Sequence, residues 1–164
     1  MDFIYGIAAV KFGGKTLGYI DQNGFQPAGT APTRTPIYAA QVKSGPVLTL
    51  TSNPGQTAFN ITLIQLDSEG LTDVIGGTKD ANGNWEPPEK GEKTGVMDIV
   101  TDSGHTLRFY KAHLSWSDFA NGLNNQNVLG IQFRVEVEKD ADGKTWKKFQ
   151  PGIDPATGSP VVEG

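Results

Sequence analysis

The chain has 164 residues, 14 basic against 18 acidic, and no cysteine. The length suits one domain able to bury a core without staples. The missing cysteine excludes disulfides, thiolate metal sites and cysteine nucleophiles, and a net charge of −4 lacks the basic footprint of a nucleic-acid grip. With 21 glycines, 10 prolines and only short apolar runs, the composition predicts a mainly β fold. The opening MDFIYGIAAVKFGGK has neither the basic start nor the apolar run of a secretion signal. No stretch reaches the roughly 20 apolar residues of a membrane helix, so a soluble protein without a membrane partner is expected.

In chain order, residues 8–12 and 15–20 read as strands around the hairpin dipeptide Gly13-Gly14. Residues 21–46, DQNGFQPAGTAPTRTPIYAAQVKSGP, are far longer than a usual loop and carry scattered Phe25, Ile37 and Tyr38. They predict an extended functional arm or long hairpin. Strands follow at 47–51 and 58–66, separated by SNPGQ. In DSEGLTDVIGG, Asp67 or Ser68 suits the N-cap, Glu69 suits the positive helix end, and Leu71, Val74 and Ile75 share one helical face before Gly76-Gly77. Residues 79–94 are polar and turn-rich. GVMDIVTD and TLRFYKAHLSW then form a predicted strand pair, and 118–127 a loop or helical turn. GIQFRVEVEK alternates cleanly, with Ile131, Phe133, Val135 and Val137 on one side and Gln132, Arg134, Glu136 and Glu138 on the other. KTWKKFQ is a further short strand, and the last residues have the composition of a mobile tail.

No candidate for chemistry outweighs its ordinary explanation. GGKT at 13–16 resembles the end of a phosphate loop, yet Ala9 stands where that motif needs glycine and a strand follows in place of a helix. His105 and His113 on one strand would lie roughly 26 Å apart, too far to share a metal. Ser103 and His105 are too close in sequence to be expected to face each other as part of a triad. DADGK places Gly143 at the wrong position for a calcium loop, and with KDANGNW it reads as one of two similar hairpin tips. Asp67, Glu69 and Asp73 are ordinary helix-start carboxylates. Trp85, Trp116 and Trp146 could stack on sugars but more often close a core. The expectation is a non-enzyme with no catalytic, cofactor-binding or metal-ligating set.

The run FNITLIQLDSEGLTDVIGG, a strand passing through an acidic linker into a short amphipathic helix, resembles the helix region of the major tail tube proteins of long-tailed, siphovirus-like phages and prophages. The start VKFGGKTLGYIDQNGF is similar to the opening hairpin of such subunits, and the arm to Pro46 falls where they carry an extended loop. TDSGHTLRFYKAHL followed by GIQFRVEVEK continues the order. The resemblance spans residues 1–138, leaving 139–164 as a C-terminal hairpin and flexible tail.

The resemblance implies a β-sandwich or half-barrel with one short α-helix and a long extended loop. It further implies a virion structural subunit, made in the bacterial cytoplasm, that self-assembles into rings of six stacked as a tail tube. DNA would pass through it in transit, without specific binding. Other tail proteins, such as the tape measure and tail terminator, would be its partners. Exposed strand edges would then be removed by ring closure. Phe25, Ile37, Tyr38, Leu71, Val74 and Ile75 would form subunit contacts, and Glu136 and Glu138 would line an acidic lumen if their face is the inner one. The competing readings are a carbohydrate-binding β-sandwich module using the three tryptophans, and the tube subunit of a contractile injection system.

Overall fold

Alternating burial organises the main sheet of the computed structural model, which describes residues 2–161. In β11 (Gly130–Glu138) Ile131, Phe133 and Val135 are buried while Gln132, Arg134 and Glu136 are half-buried on the opposite face, as the period of two demands. The strands β1 (Ala9–Phe12), β2 (Lys15–Thr16), β3 (Gln26–Pro27), β6 (Ala58–Leu63), β9 (Glu92–Val100), β10 (Thr106–Ala120) and β11 form one antiparallel sheet in the order β2-β1-β9-β10-β11-β6-β3. β12 (Trp146–Phe149) pairs with the first turn-proximal residues of β10, Thr106 to Phe109, and β11 pairs with β10 from Lys111 onward. Irregular register at 109–112 against β9 and at 116–118 against β11 gives β10 the local bends that bulges produce.

The sheet curls about its buried face. Leu17 donates to the Val10 carbonyl at 2.8 Å, and two residues later Ile64 donates to the Tyr19 carbonyl and Asp21 to the Thr62 carbonyl, both at 2.9 Å. Residues 17–21 therefore cross from β1 to β6, but no continuous ladder closes a barrel. The expected strand over 15–20 is accordingly short on the β1 side, because Gly18 packs against Gln65 where the chain crosses. Enclosed by the curl are Val10, Phe59, Ile61, Met97, Leu114 and Phe133, each almost wholly buried.

α1 (Ser68–Val74) covers one part of this core. Its N-cap is Asp67, without the side-chain cap bond expected of it. That carboxylate instead accepts from Gln65 Nε2 at 3.0 Å, and Ser68 Oγ donates to the Gly83 carbonyl at 2.6 Å. At the other end Lys93 Nζ donates to the Thr72 and Asp73 carbonyls at 2.9 and 3.2 Å, a cation at the negative helix pole. Gly76 and Gly77 end the helix at φ of 96° and 88°.

The two similar segments form the same structure. Asp80 and Asp140 each take backbone N–H groups two and four residues ahead onto one carboxylate oxygen, at 2.7–3.0 Å. The first tip joins β7 (Thr78–Lys79) to β8 (Trp85–Glu86), inside a stretch expected to lack strands. Several other expectations are corrected. β9 begins at Glu92, and β10 continues to Ala120 where a loop was expected to start. Through Pro160 the mobile tail is replaced by the hairpin β13 (Ile153–Asp154) to β14 (Ser159–Pro160), and the final residues 162–164 lie outside the described ones. β12 joins the main sheet and Phe149 is buried, so residues past 138 are continuous with the body.

Candidate functional site

The arm is the part of the chain that leaves the body. β4 (Thr33–Ile37) pairs with β5 (Leu48–Asn53) as a separate two-stranded ribbon. The pairs Gln26 with Asn60, Thr30 with Gln56 and Thr33 with Asn53 keep one register, which slips by a single residue at Arg34. β3–β6 and β4–β5 are thus two halves of one long hairpin. β6 is largely buried, and β4 and β5 are exposed at every residue.

The ribbon has two unlike faces. Directly opposed residues share a face, so Ile37–Leu48 and Thr35–Leu50 lie on one side, with Arg34–Thr51 and Pro36–Thr49 on the other. An apolar stripe thus stands in water with nothing of the described chain behind it, continued at the tip by exposed Tyr38, Val42 and Val47. Two-stranded ribbons alone are marginally stable at best.

The root of the arm is tightly held. A Cβ at Gly29 would strike the Gln56 carbonyl, and one at Gly55 (φ 79°) would lie 2.6 Å from the Thr30 carbonyl. Arg134 Nη1 donates to the Ala28 carbonyl at 3.2 Å and its Nε to Glu136 at 3.0 Å.

Glu136 and Glu138 stand on the sheet face turned away from the chain's own core, but both are paired: Glu136 with Arg134, and Glu138 with Lys111 at 3.4 Å. His113, opposite Glu136 in register, has Nε2 3.7 Å from Glu92 and Nδ1 2.9 Å from Thr94 Oγ1. The face is polar and mixed in sign, with three carboxylates against Lys111 and Arg134.

A groove of about 880 Å³ lies at the opposite end of the long hairpin from the ribbon, between residues 4–10 and 16–25. Tyr5, Tyr19, Ile4 and Phe25 line it, with buried Val10 and Ile99 also contributing. Phe25 stacks on Phe59 at 4.1 Å, so it belongs to this wall and not to the free arm.

The N-terminal segment bounding the groove is pinned by Asp2, which accepts from Gln150 Nε2 at 3.0 Å and Lys148 Nζ at 3.2 Å. Those hydrogen bonds, Gln150 first, hold its carboxyl below the usual range. Ser103 and His105 do meet, contrary to expectation. The turn at Gly104 (φ 91°) brings Ser103 Oγ to 3.0 Å from His105 Nδ1, and His105 Nε2 lies 3.7 Å from Asp2. Ser103 also contacts Thr101 Oγ1 at 2.8 Å, and neither Ser103 nor His105 lines the groove. The cluster tethers the N-terminal segment to the turn.

The helix residues require a correction. Leu71, Val74 and Ile75 are 6%, 1% and 1% exposed within the single chain. Their apolar surface is already taken up against the sheet, so they have none left for a neighbouring subunit. Nor do the tryptophans form one flat platform. Trp85 donates to the Gly76 carbonyl at 2.9 Å and packs on the core with Trp116, and only Trp146 is more than half exposed. Among the described residues no cluster of His, Asp or Glu could hold a metal ion, and no helix is long and apolar enough to cross a membrane.

Compared with known proteins, the chain matches no family model and no curated protein sequence.

Proposed function

We propose that the chain is a structural subunit that self-associates into rings of six, stacked as the tail tube of a long-tailed phage or prophage and forming a conduit for DNA. The observation that carries this reading is the exposed ribbon β4–β5, whose apolar stripe of Ile37, Leu48 and Leu50 has no partner within the described chain. Such a surface is costly in a monomer and is normal at an assembly contact. The curled sheet is taken as a half-barrel whose neighbours extend it around a ring, removing the edges that would otherwise template pairing.

In the tube the outward face of β9, β10, β11 and β6 would be the inner wall. Its opposed charges, Arg134 with Glu136 and Lys111 with Glu138, leave few free cations to hold phosphates, which suits a surface DNA slides past. A contractile injection-system tube would use the same subunit contacts. Negative-stain microscopy with light scattering across a concentration series tests the proposal: rings or tubes with a central hole are expected, and a chain that stays monomeric throughout counts against it.

A further inference from the structure

The long hairpin carries two unlike surfaces at its two ends. One end is the ribbon, and the other, at Ile20 and Leu63, borders the groove. From Ile20 to Ile37 the chain spans up to roughly 55 Å at strand rise, and the continuous register directs the ribbon away from its own groove. The ribbon therefore cannot fill the groove of the same chain without breaking that register.

Charge distinguishes the two ends as well. Between Asp21 and Asp67 the only charged residues are Arg34 and Lys43, so the arm is cationic and free of carboxylates on a chain of net charge −4. The only charged residues lining the groove are Asp21 and Asp102, and the adjoining hollow beside Leu17 is bordered by Asp67, Glu69 and Asp73. Apolar character matches too: exposed Tyr5 and Tyr19, at 63% and 75%, face the same solvent shortage of partners as Ile37, Leu48 and Tyr38.

We infer that the groove is the seat for the arm of a second copy of this chain. The stripe of Ile37, Leu48 and Leu50, led by Tyr38, enters between residues 4–8 and 19–25 of the neighbour, with Arg34 and Lys43 against the acidic rim. Because donor and acceptor surfaces differ, the contact is head-to-tail and propagates from copy to copy, closing only if the rotation between copies closes. The inference rests on the reading of the chain as a self-associating subunit, and it names the contact that does the associating.

The absence of native cysteine permits a clean test. Tyr38→Cys and Tyr19→Cys, both at exposed side chains, are purified separately, mixed and oxidised, since a disulfide forms only where the two Cα atoms come within about 7 Å. A cross-linked dimer in the mixture, at least about ten-fold above either variant alone, is expected. Arg34→Glu with Lys43→Glu should raise the concentration needed for assembly by about ten-fold or more, and Asp21→Lys with Asp102→Lys in the partner chain should restore it. Rings or tubes that form without an arm-to-groove cross-link, and that ignore the charge reversal, overturn the inference while leaving self-association standing. A monomer with no cross-link at any concentration overturns both. Tyrosine fluorescence that responds to oligosaccharide in a protein giving no cross-link makes the groove a sugar site and also overturns it.

Discussion

Arg134 and Glu136 lie two residues apart on one face of β11, with Arg134 Nε donating to Glu136 at 3.0 Å while Arg134 Nη1 reaches the Ala28 carbonyl at 3.2 Å. One ion pair thus ties the central sheet to the root of the arm. Both side chains are about a third exposed, so water weakens the pair, and the bond to the carbonyl carries more of the effect.

Arg134→Ala should therefore cost about 1–2 kcal/mol, a loss of a few degrees in Tm. The amides of β3 and of residues 28–33 should exchange faster, while those of β10 stay protected. Hydrogen exchange resolved by segment checks this.

Folding and association should separate cleanly by position. Phe133→Ala, at a side chain 1% exposed, should cost about 3–5 kcal/mol through the cavity it leaves. Leu48→Ser on the exposed ribbon should change stability by no more than about 0.5 kcal/mol yet abolish assembly. Denaturant melts beside light scattering on both variants distinguish the two effects.

Gly55→Ala should act on the arm root alone. The position has φ of 79°, and an added Cβ would crowd the Thr30 carbonyl and Pro32 nitrogen. A cost of about 1–3 kcal/mol is expected for the strained backbone, read by chemical denaturation, with assembly weakened because the ribbon is redirected.

Two carboxylates should respond to pH with opposite sign. Burial pushes Asp98 above the usual carboxylate range, only partly offset by Arg108 at 3.7 Å, and one of its oxygens is buried without a hydrogen-bond partner. Its ionised form costs stability above the raised pKa, and the cost disappears as pH falls below the ordinary value of 3.8. Asp98→Asn should raise Tm at neutral pH, with the gain shrinking in acid. Asp2 is held low by Gln150 and Lys148, so its contribution is present above the ordinary value and lost as pH falls through the lowered one. Asp2→Asn should loosen residues 3–8 at neutral pH and make little difference in strong acid. Thermal melts and segment-resolved exchange across pH report the two.

Periodicity made some elements legible. Alternation in GIQFRVEVEK marked β11, helical spacing of Leu71, Val74 and Ile75 marked α1, and the arm was readable as a long hairpin because its turn-rich middle separates two β-prone runs. What covers an apolar face is a tertiary fact. The stripe on α1 could have served a neighbour or the core, and only the curl of the sheet over it shows that it serves the core. The polar start of β9, Glu92-Lys93-Thr94, gave no strand signal because its pairing comes from β10. The groove was invisible for the same reason: residues 4–10, 16–25, 99 and 107 meet only once β1, β9 and β10 have paired. The meeting of Ser103 and His105 depends on the positive φ of Gly104, which reverses the side-chain directions a strand would impose.

The most direct measurement of self-association through the arm is the mass of the purified chain across a concentration series, by light scattering with negative-stain images of the same samples. A rise from 17.5 kDa towards a ring of six, with a central hole in the images and loss of both on Leu48→Ser, is the expected result. A mass of one chain at every concentration, unchanged by substitution on the ribbon, would contradict it.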